Sequence, residues 1–304
     1  MPADIDLNGF HAPNIATVHH VDEGLRGYGE KEELSKILFA SQCDAIQVVS
    51  GEWKCFVESK TDKPVFLAHH VINPRLFIPH RKVKKPRKPF RIGAFGFSTG
   101  IKDRKRLDVL LAALHILVKK QYQFELIVQG SFWNTLESSL SGQGIQIRNL
   151  GFLPRKMAFK SYRYLDLYVC SSDIEGGPLP VLEALASGVP VVSTQVGVAI
   201  EALSQGGGIL VKKGSPEDLA SAIAKVMDHP GLFQDLSLEA GRVSENFTWE
   251  KIGKEYMAMY ESVLNSKRSR PKFNVVLKFP KFQRQLQLFR DTRRLRLFKT
   301  KTGV

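Results

Sequence analysis

Short β-branched apolar runs alternate with amphipathic stretches along most of this chain, the pattern of βα units built on a parallel sheet. Three such runs come first, NIATVH (14–19), AIQVVS (45–50) and PVFLA (64–68), with a helix predicted at EKEELSKILFAS between the first two. A fresh strand at FRIGAFG (90–96) starts a longer and more regular series. Its first helix, RKRLDVLLAALHILVKK (104–120), sets Leu107, Leu110, Leu111, Leu114 and Leu117 in one stripe at helical spacing. Strands are then predicted at FELIVQG, IQIRN, LDLYVCS, VPVVST and GILVK, and helices near 155–164, 179–187, 216–228, 232–245 and 249–264.

The second series suffices for a complete doubly wound α/β domain, whereas three strands are few for an open sheet. The expected organisation is therefore a reduced Rossmann-like domain over 1–80, a Pro- and Lys-rich linker over 81–89 and a complete Rossmann-like domain over 90–245. A helix over 246–264 is expected to pack back toward the first domain, ahead of a tail over 265–304. Composition agrees with this division, since 304 residues with 43% apolar content bury a core large enough for two domains. The opening MPADIDLNGF carries early acids and no apolar h-region, and no apolar run reaches the roughly 18 residues that span a bilayer, so a cytoplasmic protein is expected. Cys43, Cys55 and Cys170 are odd in number and lack ligand spacing, which reads as reduced thiols and no metal site.

Charge changes the picture once it is located. The formal net charge is +14, yet residues 265–304 alone hold 13 Lys/Arg against Asp291, and HRKVKKPRKPF (80–90) adds six cations without an acid. The body is slightly acidic, and two segments carry the basicity.

Candidate chemistry sits where strand LDLYVC runs through SSDIEGGPLP into the helix LPVLEALAS, which stops at Gly188 and Pro190. Loops at the carboxyl ends of parallel strands face the ligand crevice. Gly176 and Gly177 let a backbone approach a ligand, and the helix start that follows Pro178, opening at Leu179, offers unpaired N–H groups and a positive dipole end. Glu175 is placed to accept from ligand hydroxyls. Glu183, among Val181, Leu182, Ala184 and Leu185, is expected to be partly buried and to need a donor, for which ribose hydroxyls are suited. The alternative is a tight turn without a ligand, with Glu183 capping neighbouring backbone.

The segment RNLGFLPRKMAFKSYRYLDLYVCSSDIEGGPLPVLEALASGVPVVSTQVGVAIEAL resembles the donor site of the retaining nucleotide-sugar glycosyltransferases of family four, with Glu175 and Glu183 at the two positions of their Glu-x7-Glu motif. The resemblance extends from about residue 12 to about residue 264, more strongly in the second half. It implies a GT-B fold of two Rossmann-like domains and transfer of a sugar from a nucleotide diphosphate sugar, with no further cofactor and no metal. Lys105 falls at the position of the lysine that clamps the donor diphosphate. The arginine that precedes it in the family has no clear counterpart; Ser98, Thr99 and Gly100 stand near its place, and Arg104 could substitute. The base is expected over Gly151, Phe152 and Leu153, and the sugar and distal phosphate on the amides from Gly176 to Leu179. IATVHHVDEG resembles a strand ending in a cleft histidine, which aligns His19, with His20 as runner-up and Asp22 and Glu23 in the loop beyond. VINPRLFIP matches the end of the family's first domain, with Asn73 for the usual aspartate and Val71 for the usual glycine. The strand and Gly-rich loop that open that domain in the family have no counterpart here, so a partner or upstream segment completing it is a further expectation.

The tail KRSRPKFNVVLKFPKFQRQLQLFRDTRRLRLFKTKTGV interleaves cations with Phe, Leu and Val. Such a segment suits an anionic membrane surface, and with it a lipid-linked acceptor in lipopolysaccharide or other surface-glycan synthesis. A nucleic-acid contact or a solvated tail are the other uses of that composition. Two further classes stay open beside the transferase: a GT-B-like scaffold without turnover, and a nucleic-acid binder acting through the tail.

Overall fold

The computed structural model describes residues 14–19, 43–77, 86–96, 104–130 and 145–266. Residues 15–265 make one compact unit; of a second unit, formed by 1–14 and 266–304, only Asn14 and Ser266 are described. The helix expected over 30–41, most of the linker and the basic tail lie outside the described residues.

Two parallel sheets result. The first has the order β1 (Ile15–Val18), β2 (Ala45–Val48) and β3 (Val65–Leu67), with Ile15 opposite Ala45 and Ile46 opposite Val65. Central β2 is buried along its whole length and carries Gln47, a polar group that must be paired there. Thr17 Oγ1 donates to its Oε1 at 3.0 Å, and its Nε2 donates to the Ala68 carbonyl at 3.1 Å. Helix α1 (Gly51–Glu58) follows β2 and was not predicted, because eight residues that bury only Trp53 and Val57 give too short a stripe to read.

The second sheet comprises β4 (Phe90–Phe95), β5 (Phe124–Gln129), β6 (Gln146–Asn149), β7 (Leu167–Cys170), β8 (Val191–Thr194) and β9 (Gly208–Val211), in the order β6-β5-β4-β7-β8-β9. Its helices are α2 (Leu107–Lys119), α3 (Arg155–Ser161), α4 (Leu179–Ala186), α5 (Val198–Leu203), α6 (Pro216–Asp228), α7 (Pro230–Ser244) and α8 (Trp249–Asn265). Alternate strand residues enter two cores on opposite faces. Ile92, Leu126, Val169 and Val192 meet α2 and α6, whereas Phe95, Ile127, Tyr168 and Val191 meet α4 and α5. Burial on both faces makes these strands read as near-continuous apolar runs.

Helix boundaries follow local chemistry. At α6, Ser215 Oγ accepts from the Asp218 amide at 3.2 Å, Pro216 opens the helix and Glu217 and Asp218 face its positive end, which is why its span was predicted to the residue. By contrast α2 starts at Leu107, not at 104, because Arg106 has left-handed backbone (φ 49°). Its guanidinium is gripped by Asp108 in the first turn of the helix, at 2.9 and 3.0 Å, and by Asp173 in the loop after β7. Arg87, at the end of the predicted linker, bonds the carbonyls of Tyr164 (2.9 Å) and Arg163 (3.2 Å) and pairs with buried Asp166 (3.4 Å).

Two further connections run from the first sheet to the elements around the second. Helices α1 and α5 cap each other: Glu201 Oε1 accepts from the Gly51 amide, and Glu52 Oε2 accepts from the Gly197 amide at 2.7 Å. Helix α8 returns to the first sheet, where the Ile72 amide bonds the Phe247 carbonyl (2.8 Å), Gln47 Nε2 donates to Tyr256 (3.0 Å) and Glu255 accepts from the His69 amide (3.1 Å).

Candidate functional site

Strands β4 and β7 are neighbours whose onward connections run to opposite sides of the sheet. Their carboxyl ends therefore flank the switch in strand order, where open α/β sheets bind ligands. A small pocket lies there, lined by Phe95, Gly96, Lys105, Tyr168, Ser171 and Ser172 and by Leu107 and Leu110. The loop after β7 is stitched to the segment after β4 through backbone groups: the Asp173 amide bonds the Arg104 carbonyl and Ser171 Oγ bonds the Lys105 carbonyl, both at 2.9 Å.

This stitching delivers two cations to one carboxylate. Glu175, 7% exposed, accepts from Lys105 Nζ at 2.5 Å and from Arg104 Nη1 at 2.7 Å, and Ser172 Oγ donates to it at 3.0 Å. Burial pushes its pKa up, but Lys105 and Arg104 more than offset that and hold it below the ordinary 4.5. The carboxylate is ionised at neutral pH. Its backbone carbonyl accepts from Trp53 Nε1 of α1 at 2.9 Å, so the loop is held from both sheets. Arg104 thus stands beside Lys105 on the same acid, while Ser98 and Thr99 lie outside the described residues.

The glycines have a reason inside the protein. A side chain at Gly176 would start 1.4 Å from the His19 carbonyl, and one at Gly177 would start 2.4 Å from His70 Cδ2. Gly197, at φ 44°, abuts the Gly176 carbonyl in the same way, 2.1 Å from a would-be Cβ. His19 follows β1, is exposed, and stacks on His70 with ring centroids 5.5 Å apart and 17° between planes. Buried Pro178 precedes α4, and half-buried Leu179 opens it.

Glu183 is half-buried one turn into α4 and takes a hydrogen bond from Tyr162 Oη at 2.6 Å. The donor that its burial demands is thus supplied within the fold. Burial, with Glu183 beside it, holds the Tyr162 pKa well above 10, so this phenol stays a donor. Phe152 and Leu153 follow β6 on the loop whose Gly151 carbonyl bonds the Gly130 amide at 2.9 Å; Leu153 is half-buried and Phe152 projects into solvent, 87% exposed.

Structure thus brings Arg104 and Lys105 onto Glu175 and sets the His19 carbonyl against Gly176 and His70 against Gly177. Four contributors were not found from sequence: Trp53, Ser172, Tyr162 and His70. Only His70 left a trace, the histidine doublet in AHHVINP. Among the described residues no cluster of three or more His, Cys, Asp or Glu is placed to hold a metal, and no helix is long and apolar enough to cross a membrane.

Two parallel Rossmann-like sheets with the crevice at the β4/β7 switch match the GT-B class of glycosyltransferase structures. Residues 82–242 match the family described as Glycosyl transferases group 1, and the chain belongs to that family. It is similar to the lipopolysaccharide core biosynthesis mannosyltransferase LpsB of Rhizobium meliloti, 28% identical over 240 residues, which covers 73% of this chain and 66% of that protein. It is also similar to the mannosyltransferase LpcC of Rhizobium leguminosarum, 31% identical over 188 residues, covering 59% and 52%. The chain spans about two thirds or less of the length of such relatives. In fold it is similar to sucrose-phosphate synthase from Thermosynechococcus elongatus, with a TM-score of 0.71 and 18% identity over 86% of this chain and 70% of that one. Anabaena HepE in complex with UDP and glucose gives 0.67 and 16% over 83% and 72%.

Proposed function

We propose that this chain binds a nucleotide diphosphate sugar at the β4/β7 crevice and transfers its sugar to an acceptor hydroxyl, with retention at the anomeric carbon and without a metal. The buried Glu175 carboxylate held by Arg104 and Lys105 carries this reading. Two cations fixed around an internal anion make an anion site already filled from within. A donor diphosphate bears more charge than one carboxylate and takes over both cations, and Glu175 then turns to the sugar hydroxyls.

As the glycosidic bond breaks, its electron pair goes to the diphosphate oxygen, and Lys105 and Arg104 stabilise the growing charge. The acceptor oxygen bonds the anomeric carbon from the same face, and its proton passes to the departing diphosphate. Catalysis is then positioning and charge stabilisation. Glu183 meets the ribose beside Tyr162, the base lies by Phe152 and Leu153, the backbone from Gly176 to Leu179 holds the sugar and distal phosphate, and His19 meets the sugar or acceptor. On this reading residues 90–245 are the donor domain and the three-stranded sheet is the acceptor side. A surface-glycan acceptor is in keeping with the lipopolysaccharide enzymes that the chain resembles.

Peripheral membrane association belongs to the same proposal. The outer face of α8 exposes Trp249 (60%), Met257 (55%), Tyr260 (46%) and Leu264 (68%) directly ahead of the basic tail. Cosedimentation with phosphatidylglycerol vesicles, lost when 267–304 are deleted, is the expected result; equal binding by the truncated chain removes the tail from this role.

Calorimetric titration with UDP, GDP and ADP tests the donor site. One of the three is expected to bind the wild type, with affinity reduced at least tenfold in Lys105→Ala and in Glu183→Ala. A folded wild type that binds none of them ends this reading.

A further inference from the structure

We propose that His70 is a positioning residue for glycosyl transfer, fixing the exposed imidazole of His19 at the edge of the loop that carries Glu175. The inference rests on the donor-site reading above. His19 stands at the carboxyl end of β1 and His70 three residues beyond β3, on different strands of the first sheet. Both reach the same dipeptide of the second: the His19 carbonyl lies against Gly176, and the Cδ2–Nε2 edge of the His70 ring lies against Gly177.

An exposed side chain with no backing loses rotamer freedom when it engages a ligand, a cost that a preset orientation removes. His70 supplies the backing. It is half-buried, and its ring is nearly parallel to that of His19. Burial, together with the neighbouring His19 and His69, holds its pKa below the ordinary 6.5, so at neutral pH a neutral ring supports His19 and the stack is spared two like charges. Replacement of Gly177 by any larger residue would drive the two apart.

The reaction served is the one written above: the bond from the anomeric carbon to the diphosphate oxygen breaks, the acceptor oxygen bonds that carbon, and the acceptor proton leaves on the diphosphate. Water serves as acceptor in the test. Release of the nucleoside diphosphate from UDP-glucose, UDP-N-acetylglucosamine, GDP-mannose and ADP-glucose is followed for the full chain and for His19→Ala, His70→Ala, His70→Phe and the double variant His19→Ala/His70→Ala. His70→Ala is expected to slow turnover about tenfold, with Kd for the free nucleoside diphosphate within twofold of wild type. His70→Phe, which keeps a ring to stack on, is expected to recover most of the rate, and the double variant to be no slower than His19→Ala.

Turnover by His70→Ala within twofold of wild type overturns the proposal. So do losses that multiply in the double variant, since His70 would then act apart from His19, and so does a parallel weakening of nucleoside diphosphate binding, which marks a scaffold role. A wild type that binds UDP, GDP or ADP but never releases it from a nucleotide sugar overturns the proposal and leaves the donor site standing. A wild type that binds none of the three overturns the donor site itself.

Discussion

Glu175 answers to partners that it cannot serve at once. Its carboxylate neutralises Arg104 and Lys105, the cations that the proposed donor diphosphate would claim, so on that proposal ligand and side chain compete for one site. Glu175→Gln keeps the shape and removes the rival charge. Nucleoside diphosphate affinity is expected to rise about tenfold, or about 1.4 kcal/mol, while turnover falls about 10²-fold because the sugar hydroxyls lose a charged acceptor for a neutral, weaker one. Calorimetry and a turnover assay on one preparation check both; unchanged or weaker binding rejects the competition. Glu175 stood out in sequence as an acid in the loop between a buried strand and a helix, Glu183 as an acid among the apolar residues of that helix, and Lys105 through the family resemblance. Trp53 and Tyr162 were not legible, because each reaches its glutamate across a long stretch of chain, 122 residues for Trp53 and 21 for Tyr162.

Among elements, the two short helices α1 and α5 went unread in the sequence and carry much of the connection between the sheets. Helix α5 has six residues and α1 eight, too few turns for an apolar stripe, yet each lends a first-turn glutamate to the other's opening amide. Helix α2, long and striped, was overrun at its start only because left-handed Arg106 is set by Asp108 and Asp173, the latter remote in sequence. The His69 side chain joins α5 and α8 to the end of β3: Glu255 lies 3.2 Å from Nδ1 and Glu201 3.9 Å from Nε2, with the edge of Phe247 alongside. Burial alone would lower the His69 pKa, but the two glutamates raise it to about 9 from the ordinary 6.5, while burial of Glu255 is outweighed by His69 and its pKa falls below 4.5. A raised histidine contributes stability that is complete below pH 6.5 and fades as pH climbs through 9; the lowered Glu255 contributes above pH 4.5 and fades in acid. Denaturant titrations from pH 6.5 to 10 are expected to show wild type losing about 2 kcal/mol more than His69→Gln. Parallel curves for the two proteins would reject the linkage.

At the scale of the whole molecule, the number of strands among the described residues, their parallel direction and their division into two sheets were open to reading, since strands buried on both faces announce themselves as apolar runs between amphipathic helices. Strand order was not, because no local pattern records which neighbour a buried strand chooses, and the ligand crevice depends on β4 meeting β7. The bond from Trp53 to the Glu175 carbonyl, 2.9 Å across the two sheets, has an optical consequence. The chain has three tryptophans, Trp53, Trp133 and Trp249; Trp53 is 7% exposed, whereas Trp249 is 60% exposed. Trp53 is thereby a native fluorophore wired to the backbone of Glu175, the residue that on the proposed mechanism exchanges partners when a donor arrives. With Trp133 and Trp249 replaced by phenylalanine, adding the nucleotide selected by calorimetry is expected to shift the remaining emission, and Lys105→Ala to silence the response. An emission that stays constant through saturation would mean that the loop receives its ligand without moving its main chain, leaving the side chain of Glu175 to make the exchange alone.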